Sequence, residues 1–340
     1  MVHHTLMNEK IDFVITWVDG NDPVWRKDFE YYSELEGRDI DKRVVRFRDW
    51  ENLQYWFRGV EKFAPWVNKI YFVTYGHVPG WLNTEHPKLQ IVRHEDFIPS
   101  EYLPTFNSKV IEFYFYKIKG LSEKFVYFND DMFLINHVRL DRFFRDGLPC
   151  DFPALSDSVH PSPTMFDSSI FFARALINKF FNKQEAIRSH FSKWYPPNHV
   201  RLALNNFQYR KRSVFPGFMM NHLPQGYLKR TYEEVWASCR EDLERTSSHR
   251  FRSWGDVAPW LIRYWQLASG NFTPYSYYRD GIYYGIDERC IDDIVRCIKS
   301  QKKSMMCLND YNDKIDFDVM KWNIQEAFEH ILPEKSHFEK

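Results

Sequence analysis

The stretch FVYFNDD, residues 125–131, decides how this sequence is interpreted. Four aromatic or β-branched residues before a polar triplet predict a short buried strand that ends at Phe128. In open α/β sheets, ligands bind just beyond the carboxyl ends of the strands, where Asp130 and Asp131 fall. Adjacent carboxylates repel each other, and a hard divalent cation such as Mg²⁺ relieves that repulsion. The alternative is a solvated turn, because Asn and Asp are favoured in turns.

A second acidic group follows the first predicted strand of the chain. Residues 11–18, IDFVITWV, predict a strand, and Asp19 opens the dense turn signal DGNDP. Parallel strands present their carboxyl ends at the same edge of a sheet, so we expect Asp19 to lie near Asp130 and Asp131. This convergence favours a metal or phosphate site. The alternative for Asp19 is a plain Asp-Gly turn.

Strands and helices alternate in the first part of the chain, which predicts a mostly parallel sheet covered on both faces. Strands are predicted at 11–18, 70–74, 89–92 and 125–128, and helices at 53–63 (capped by Asp49), 108–118, 174–192, 232–245, 256–268, 288–300 and 316–332. Residues 205–218 are expected to be irregular, basic and aromatic. Their cations, Arg210 to Arg212, form either a solvated patch or a contact for pyrophosphate or polymer.

Composition narrows the function classes. The 340 residues carry 46 basic and 46 acidic side chains, which argues against a bulk electrostatic grip on nucleic acid. Five widely spaced cysteines predict free thiols in a reducing compartment. No apolar leader is visible in residues 1–10, and no run is long enough for a membrane span. We therefore expect a cytoplasmic protein, either free or peripheral at the inner face of the cell membrane.

Four separated segments share one resemblance. They are residues 12–23, 46–133, 222–256 with His222 and Arg250-Phe251-Arg252, and 307–310. Together they resemble the four conserved regions of the Stealth family. That family includes bacterial capsular and cell-wall polysaccharide sugar-phosphotransferases and the catalytic subunit of the animal lysosomal-enzyme N-acetylglucosamine-1-phosphotransferase.

The resemblance implies a reaction. A hexose-1-phosphate, of N-acetylhexosamine type, passes from a nucleotide diphosphate sugar to a sugar hydroxyl, and a nucleoside monophosphate is released. The implied donor is UDP-linked, the acceptor is a glycan that is free or lipid-linked, and Mg²⁺ or Mn²⁺ is the cofactor. The expected fold is α/β, with a mostly parallel Rossmann-like or GT-A-like sheet flanked by helices and a largely helical C-terminal half.

The expected organisation has three parts. Residues 1–140 form an α/β core that binds the nucleotide sugar, and residues 141–220 form a variable acceptor region. Residues 221–340 form a helical part that completes the active site.

The resemblance also assigns roles to individual residues. The catalytic residues are His222, Arg252 and Asp130; the metal ligands are Asp130, Asp131 and Asp310; the substrate-binding residues are Asp19, Asn107, Ser108, Arg48, Arg250 and Asn309. An imidazole titrates near neutral pH, so His222 can take the proton of the acceptor hydroxyl. A covalent phosphohistidine is the alternative. The guanidinium of Arg252 suits bidentate binding of phosphate oxygens.

Structural alternatives stay open for several of these residues. Asp310 could cap a helix, Arg48 could form an ion pair near a helix start, Arg250 could only pack its stem, and Asn107 with Ser108 could serve as an ordinary N-cap. Two other functions also compete. One is a conventional glycosyltransferase that attacks the anomeric carbon. The other is a non-catalytic glycan-binding module, against which the density of acidic, His and Arg residues argues.

Overall fold

Apolar runs form the strands of the computed structural model, which describes residues 10–37, 40, 48–157 and 164–340. The strands are β1 (Ile11–Thr16), β2 (Ile70–Thr74), β3 (Leu89–Arg93), β4 (Lys124–Phe128), β5 (Met132–Leu134), β6 (Phe144–Arg145), β7 (Leu148–Asp151), β8 (Gln225–Leu228), β9 (Thr273–Pro274), β10 (Gly281–Gly285) and β11 (Met305–Asn309). The helices are α1 (Pro23–Glu36), α2 (Leu53–Phe63), α3 (Ser108–Phe113), α4 (Met165–Phe180), α5 (Lys183–Ser189), α6 (Phe191–Trp194), α7 (Val200–Gln208), α8 (Lys229–Ser247), α9 (Trp260–Ala268), α10 (Ile291–Ser300) and α11 (Phe317–Ile331). The predictions for residues 1–9 and 46–47 lie outside the described residues.

Five strands form the central sheet, in the order β3-β2-β1-β4-β8. β1 is parallel to both neighbours, with Ile15 opposite Phe72 of β2 and Phe128 of β4. β3 is parallel to β2, and the edge strand β8 is antiparallel to β4. The predicted mostly parallel α/β sheet is therefore confirmed. Because β2 and β3 lie on one side of β1 and β4 on the other, a crevice opens at the carboxyl ends of β1 and β4.

Both faces of the sheet are buried under helices. Phe13 and Ile15 of β1 face a core that includes α2 and α11, whereas Val14 faces a second core that includes α3, α8 and α9. β4 alternates in the same way, with Phe128 in the first core and Phe125 in the second. A sheet covered on both faces needs nearly continuous apolar strands, which is why these strands were predictable.

Most predicted helices are confirmed, but three details were wrong. Asn52, not Asp49, occupies the N-cap position of α2, and the Asp49 carboxylate accepts a hydrogen bond from the Glu51 N–H at 2.7 Å. The single helix predicted near 174–192 is broken into α4, α5 and α6, because Asn182 caps a new start. The irregular stretch predicted from residue 205 begins inside α7.

The C-terminal half is largely helical, as predicted, but it also supplies strands. β8 completes the central sheet, and β11 lies between parallel β10 and antiparallel β5 in a second sheet. A small third sheet joins β6, β7 and β9. The Leu308 N–H donates to the Asp131 carbonyl oxygen at 2.8 Å, so β11 fixes the turn after β4. Strand pairing thus crosses the boundaries of the predicted three-part division, which stays a prediction.

Two further expectations concern membranes and thiols. Among the described helices, none combines the length and the apolar character that crossing a bilayer requires. All five cysteines are free thiols, as predicted.

Candidate active site

The polar residues after β4 form a turn at the crevice beside β1. The Tyr127 hydroxyl donates to Asn129 Oδ1 at 2.5 Å, and Asn129 Nδ2 lies 3.3 Å from His222 Nε2. Asn129 therefore orients the imidazole. β8 runs antiparallel to β4 with Gln225 opposite Tyr127, so the residues just before β8, including His222, lie over the carboxyl end of β4.

Asp131 has one satisfied and one unsatisfied carboxylate oxygen. Its Oδ2 lies 3.4 Å from His222 Nε2 and accepts a hydrogen bond from Cys307 Sγ at 3.3 Å. Burial raises the pKa of the Cys307 thiol well above its ordinary value, so this sulfur donates to Asp131 as a neutral thiol. Oδ1 of Asp131 is buried and has no hydrogen-bond partner among the described residues. A buried carboxylate oxygen without a partner is costly, and a cation would satisfy it.

Other carboxylates add negative charge to the same crevice. The protein that surrounds the side chain of Asp130, followed by the charge of Asp131, raises the pKa of Asp130 to about 7, and Asp49 contributes to this rise. The side chain of Asp130 is exposed to solvent at its tip. Its pKa is therefore raised by the protein atoms on either side of the crevice. Burial also raises the pKa of Asp49, to which Glu51 and Asp19 add. Asp19, Asp49, Asp130 and Asp131 thus form a set of mutually repelling carboxylates, and these donors fit Mg²⁺ or Mn²⁺.

Three acidic side chains raise the pKa of His222. Burial alone would lower its pKa, but the hydrogen bond and charge of Asp131, with the charges of Glu112 and Asp130, outweigh burial and raise the pKa. While Nε2 faces Asp131 and Asn129, Nδ1 makes no hydrogen bond with any residue in the part of the chain that the structure describes.

Helix α3 brings two more charged groups to the crevice. Arg252 Nη2 donates to Ser108 Oγ at 2.9 Å, at the start of α3. Glu112 follows Ser108 by one helical turn and so lies on the same helix face. Burial raises the pKa of Glu112 to about 7, opposed by the nearby charges of Arg252, His222 and Lys109. Glu112 was missed in the sequence, where only the apolar positions of this helix were considered.

Asp130, Asp131, His222, Glu112 and Arg252 are named the cleft cluster below. They lie in four separate segments of the sequence, and the electrostatic influences on His222 and Glu112 connect all five groups. The charges of His222 and Arg252 both act on Glu112, and that of Asp130 acts on His222, which links the three predicted catalytic residues.

Comparison with known proteins gives the family. Two family models match the chain: Stealth protein conserved region 1 over residues 9–36, and conserved region 2 over residues 46–150. The capsular polysaccharide phosphotransferase WcwK of Streptococcus pneumoniae is 40% identical over 339 residues, which cover 98% of this chain and 98% of WcwK. The chain belongs to the Stealth family.

Two other comparisons give the range of similarity around this Stealth protein. The exopolysaccharide phosphotransferase cps2G of Lactiplantibacillus plantarum is 38% identical over 332 residues, 97% of this chain and 96% of cps2G. Among solved structures, an active-site mutant of LgtC has a TM-score of 0.40 and 9% identity, covering 93% of this chain and 95% of LgtC. That structural likeness is too weak to support any conclusion. The named relatives make this Stealth protein an enzyme of the transferase class.

Asn107 of this Stealth protein is the N-cap of α3, while its predicted role in substrate binding stays a prediction. Its side chain is fully buried, accepts from the Lys109 N–H, and donates to the carboxylate of Asp256 at 3.1 Å. Asp256 also accepts from Lys109 Nζ at 3.3 Å and pairs with His249 Nδ1 at 2.7 Å. Asn107 is therefore the predicted alternative, an N-cap. With Asp256 it joins the start of α3 to the segment that carries Arg252.

Arg250 packs away from the cleft cluster. Its guanidinium lies 4.8 Å from the centre of the Tyr32 ring, and Nη2 donates to the Leu103 carbonyl oxygen at 3.3 Å. These contacts match the packing alternative, and the predicted role of Arg250 in substrate binding stays a prediction.

Arg48 and Asp310 form an ion pair, named the Arg48–Asp310 clamp below. Arg48 donates to both carboxylate oxygens at 2.5 and 2.6 Å, and Trp50 Nε1 donates to Oδ2 at 2.9 Å. Both oxygens of Asp310 are engaged in this pair, and its predicted role as a metal ligand stays a prediction. The ion-pair alternative for Arg48 is observed. The adjacent Asn309 donates to the Tyr283 hydroxyl at 2.8 Å, and the Tyr283 ring lies 6.2 Å from that of His222.

A cavity of about 490 Å³ opens beside this site, at the carboxyl ends of β2 and β3. Its lining residues are Asp22, Val24, Tyr75, Gly76, His77, Arg93, His94, Glu95, Leu103 and Pro104. His77 links the cavity to the first strand, because its Nε2 accepts the Asp19 N–H at 2.8 Å. The cavity has the size of a small-molecule site, and it adjoins the turn that contains Asp19.

Proposed function

We propose that this Stealth protein transfers a hexose-1-phosphate from a nucleotide diphosphate sugar to a glycan hydroxyl, and so forms phosphodiester linkages in a capsular or cell-surface polysaccharide. The names of the relatives support polysaccharide phosphotransfer. The donor we propose is UDP-linked N-acetylhexosamine. The single observation that carries the proposal is the cleft cluster, which gathers acidic, basic and titratable groups at the crevice between β1 and β4.

The bonds of the proposed reaction balance as follows. The acceptor oxygen attacks the phosphorus atom that carries the sugar, and the bond from that phosphorus to the bridging oxygen of the diphosphate breaks. The nucleoside monophosphate leaves, while the bond between the anomeric carbon and its oxygen survives. Such a transfer is catalysed mainly by positioning and by neutralisation of charge, which is what the cleft cluster offers.

His222 is the proposed acceptor of the hydroxyl proton. The hydrogen bond and charge of Asp131 outweigh burial and raise its pKa, so they favour the protonated ring that forms when the hydroxyl proton is taken. Asp131 faces Nε2 and fixes the orientation of the ring. Asp131 also stabilises the imidazolium that forms when the proton arrives, as a carboxylate does when it orients a histidine that acts as a general base.

Asp130 and Asp131 are the proposed ligands of Mg²⁺ or Mn²⁺. The ion, when bound, supplies positive charge against the diphosphate. Two observations support this assignment: Asp131 Oδ1 has no partner among the described residues, and the pKa of Asp130 is raised. A bound cation would stabilise both carboxylates. Asp19 and Asp49 extend the same acidic surface toward the cavity.

Arg252 is the proposed contact for the phosphate oxygens. Ser108 holds one of its nitrogens, which limits the conformations of a long side chain. The adjacent cavity has the volume expected for the nucleoside part of the donor, and it lies at the edge of the sheet where α/β folds take nucleotides. A cytoplasmic location, peripheral to the inner face of the membrane, is part of the proposal.

The test is incubation of the purified protein with a panel of nucleotide diphosphate sugars, a glycan acceptor and Mg²⁺. We expect release of nucleoside monophosphate and a phosphodiester signal in the ³¹P NMR spectrum of the product. Both signals should be lost with His222→Ala. Release of nucleoside diphosphate would overturn the proposal in favour of a conventional glycosyltransferase that attacks the anomeric carbon.

A further inference from the structure

Helix α7 exposes three large apolar side chains and buries the amide of an asparagine. Val200, Leu204 and Phe207 are 63%, 68% and 53% exposed, and their spacing places them along one stripe of the helix. On the opposite side, Asn206 is fully buried and Leu202 nearly so. The hydrophobic effect alone would favour the reverse orientation.

The reversed orientation of α7 is held by a polar network. Asn206 accepts from the Leu155 N–H at 2.8 Å and donates to the carbonyl oxygens of Pro153 and Trp194 at 3.0 and 3.1 Å. Because every polar atom of this side chain is engaged, rotating the helix to bury its stripe would break all three hydrogen bonds. The stripe therefore stays outward in the isolated chain.

The stripe lies in a strongly basic part of a chain that is neutral as a whole. Residues 186–232 contain no Asp or Glu, whereas the same residues contain eight Lys or Arg. Arg201, Arg210 and Lys211 are exposed beside the stripe. The Arg210 guanidinium lies 3.9 Å from the centre of the Phe207 ring, which places a cation directly against an apolar side chain of the stripe.

We propose that α7 and residues 209–214 dock the protein on an anionic lipid bilayer. An exposed apolar stripe flanked by Lys and Arg is what an interfacial helix uses, because apolar side chains enter the headgroup boundary while cations meet anionic lipids. A glycan is a poorer occupant, because Val200 and Leu204 offer no ring for sugar stacking. A second copy would bring an equally basic surface against this one and be repelled.

A chain of contacts connects α7 to the segment that carries His222. Arg201 lies 5.9 Å from the centre of the Tyr278 ring, and the Tyr278 hydroxyl donates to Met219, three residues before His222. The benefit to a lipid-linked acceptor depends on the proposed function, whereas the docking itself does not.

The experiment is sedimentation of the full chain with vesicles of phosphatidylcholine alone or of phosphatidylcholine with an equal amount of phosphatidylglycerol. We expect binding to the anionic vesicles that weakens as salt is added. The double variant Leu204→Gln with Phe207→Gln should lose at least tenfold in affinity, and Arg210→Gln with Lys211→Gln should lose a similar factor. These residues are exposed, so thermal unfolding should be unchanged.

Matched controls lie on other faces of the molecule. Leu35→Gln removes an equally exposed leucine from α1, and Arg139→Gln removes an exposed cation near β6. Both controls should bind vesicles like the parent. Parent-like binding by the α7 double variant, or equal binding to neutral vesicles, would overturn the proposal. So would a concentration-dependent dimer in light scattering that Leu204→Gln abolishes, since it would assign the stripe to a second copy. Vesicle binding is measured without substrate. A preparation that binds vesicles but does not catalyse phosphotransfer would therefore contradict the proposed function and support the docking proposal.

Discussion

The cleft cluster and the Arg48–Asp310 clamp both join residues that are far apart in the sequence, but they differ in how completely their charges are paired. In the clamp, one guanidinium and one indole N–H engage both carboxylate oxygens. In the cleft cluster, no residue in the described part of the chain partners Asp131 Oδ1, and the pKa values of Asp130 and Glu112 are raised to about 7. A fully paired carboxylate serves the fold, whereas one left without compensation marks the place where a ligand is expected.

The largest effect should come from the cleft cluster. We predict that Asp130→Asn, His222→Ala and Arg252→Ala each lower kcat/KM at least about 10²-fold, because each removes a proton acceptor or a charge from the transition state. Steady-state kinetics, with the donor that the panel of nucleotide diphosphate sugars selects, would measure this. Melting temperatures should move by no more than about 4 °C, since all three side chains line an open cleft. A fully active variant would remove that residue from the mechanism and weaken the comparison.

The clamp should show the opposite pattern. Asp310→Leu leaves Arg48 about 11% exposed without its counter-charge, so we predict a loss of about 3 kcal/mol in the free energy of unfolding. Denaturant unfolding measures the loss. Adding Arg48→Met should recover part of it, because the uncompensated cation is then gone.

Metal binding provides the second measurement on the clamp. Titration calorimetry with Mn²⁺ should give the same affinity for the parent and the Arg48→Met, Asp310→Leu double variant. Asp131→Ala should abolish the binding. A lower Mn²⁺ affinity in the double variant would show that Asp310 contributes to the metal site. The clamp and the cleft cluster would then no longer differ in function.

Glu112 should give the smallest effect, and one that depends on pH. Its folded-state pKa is about 7 against an ordinary value of 4.5, so the folded chain holds this proton more tightly than the unfolded chain does. Stability from this group is therefore complete below pH 4.5 and is lost as the pH rises toward about 7. Glu112→Gln removes that loss, so we predict a gain of about 1 kcal/mol at pH 8 that shrinks toward pH 4.5, after allowance for partial exposure.

The turnover of Glu112→Gln should change in the opposite direction to its stability. Glu112→Gln should be more stable at pH 8 and yet slower, as expected where a binding site holds a charge at the expense of stability. Glu101→Gln, at an exposed carboxylate, should change neither property. No gain in stability for Glu112→Gln, measured by denaturant unfolding at both pH values, would show that the cleft does not strain this carboxylate.

Local signals were sufficient for the strands and for the acidic turn. β1, β2 and β4 are apolar along their whole length because helices cover both faces of the sheet, and Asp130 with Asp131 directly follows one of them. β8 escaped prediction because it pairs at the edge of the sheet and its sequence, QGYL, begins with Gln and Gly. Residues whose roles follow from their nearest neighbours could therefore be predicted.

Roles that depend on distant partners could not be predicted in this way. Nothing near Arg48 indicates that it pairs with Asp310, 262 residues away. Asn107 looked like a ligand-binding N-cap because the buried Asp256 that engages its amide lies 149 residues further on. Glu112 did have a signal: it lies one helical turn after Ser108, on a face where an acidic side chain is otherwise unexplained.

The pairing of β5 with β11 has a consequence for how the enzyme is made. β5 has three residues, follows directly on the Asp130-Asp131 turn, and pairs with residues 305–307. A ribosome that synthesises residues 129–131 must therefore add about half of the chain again before their partner strand exists. Until then the turn has no backbone partner at Leu308 and Cys307 cannot donate to Asp131. An interrupted translation product is thus expected to be inert, and no partially synthesised chain would release sugar phosphate prematurely.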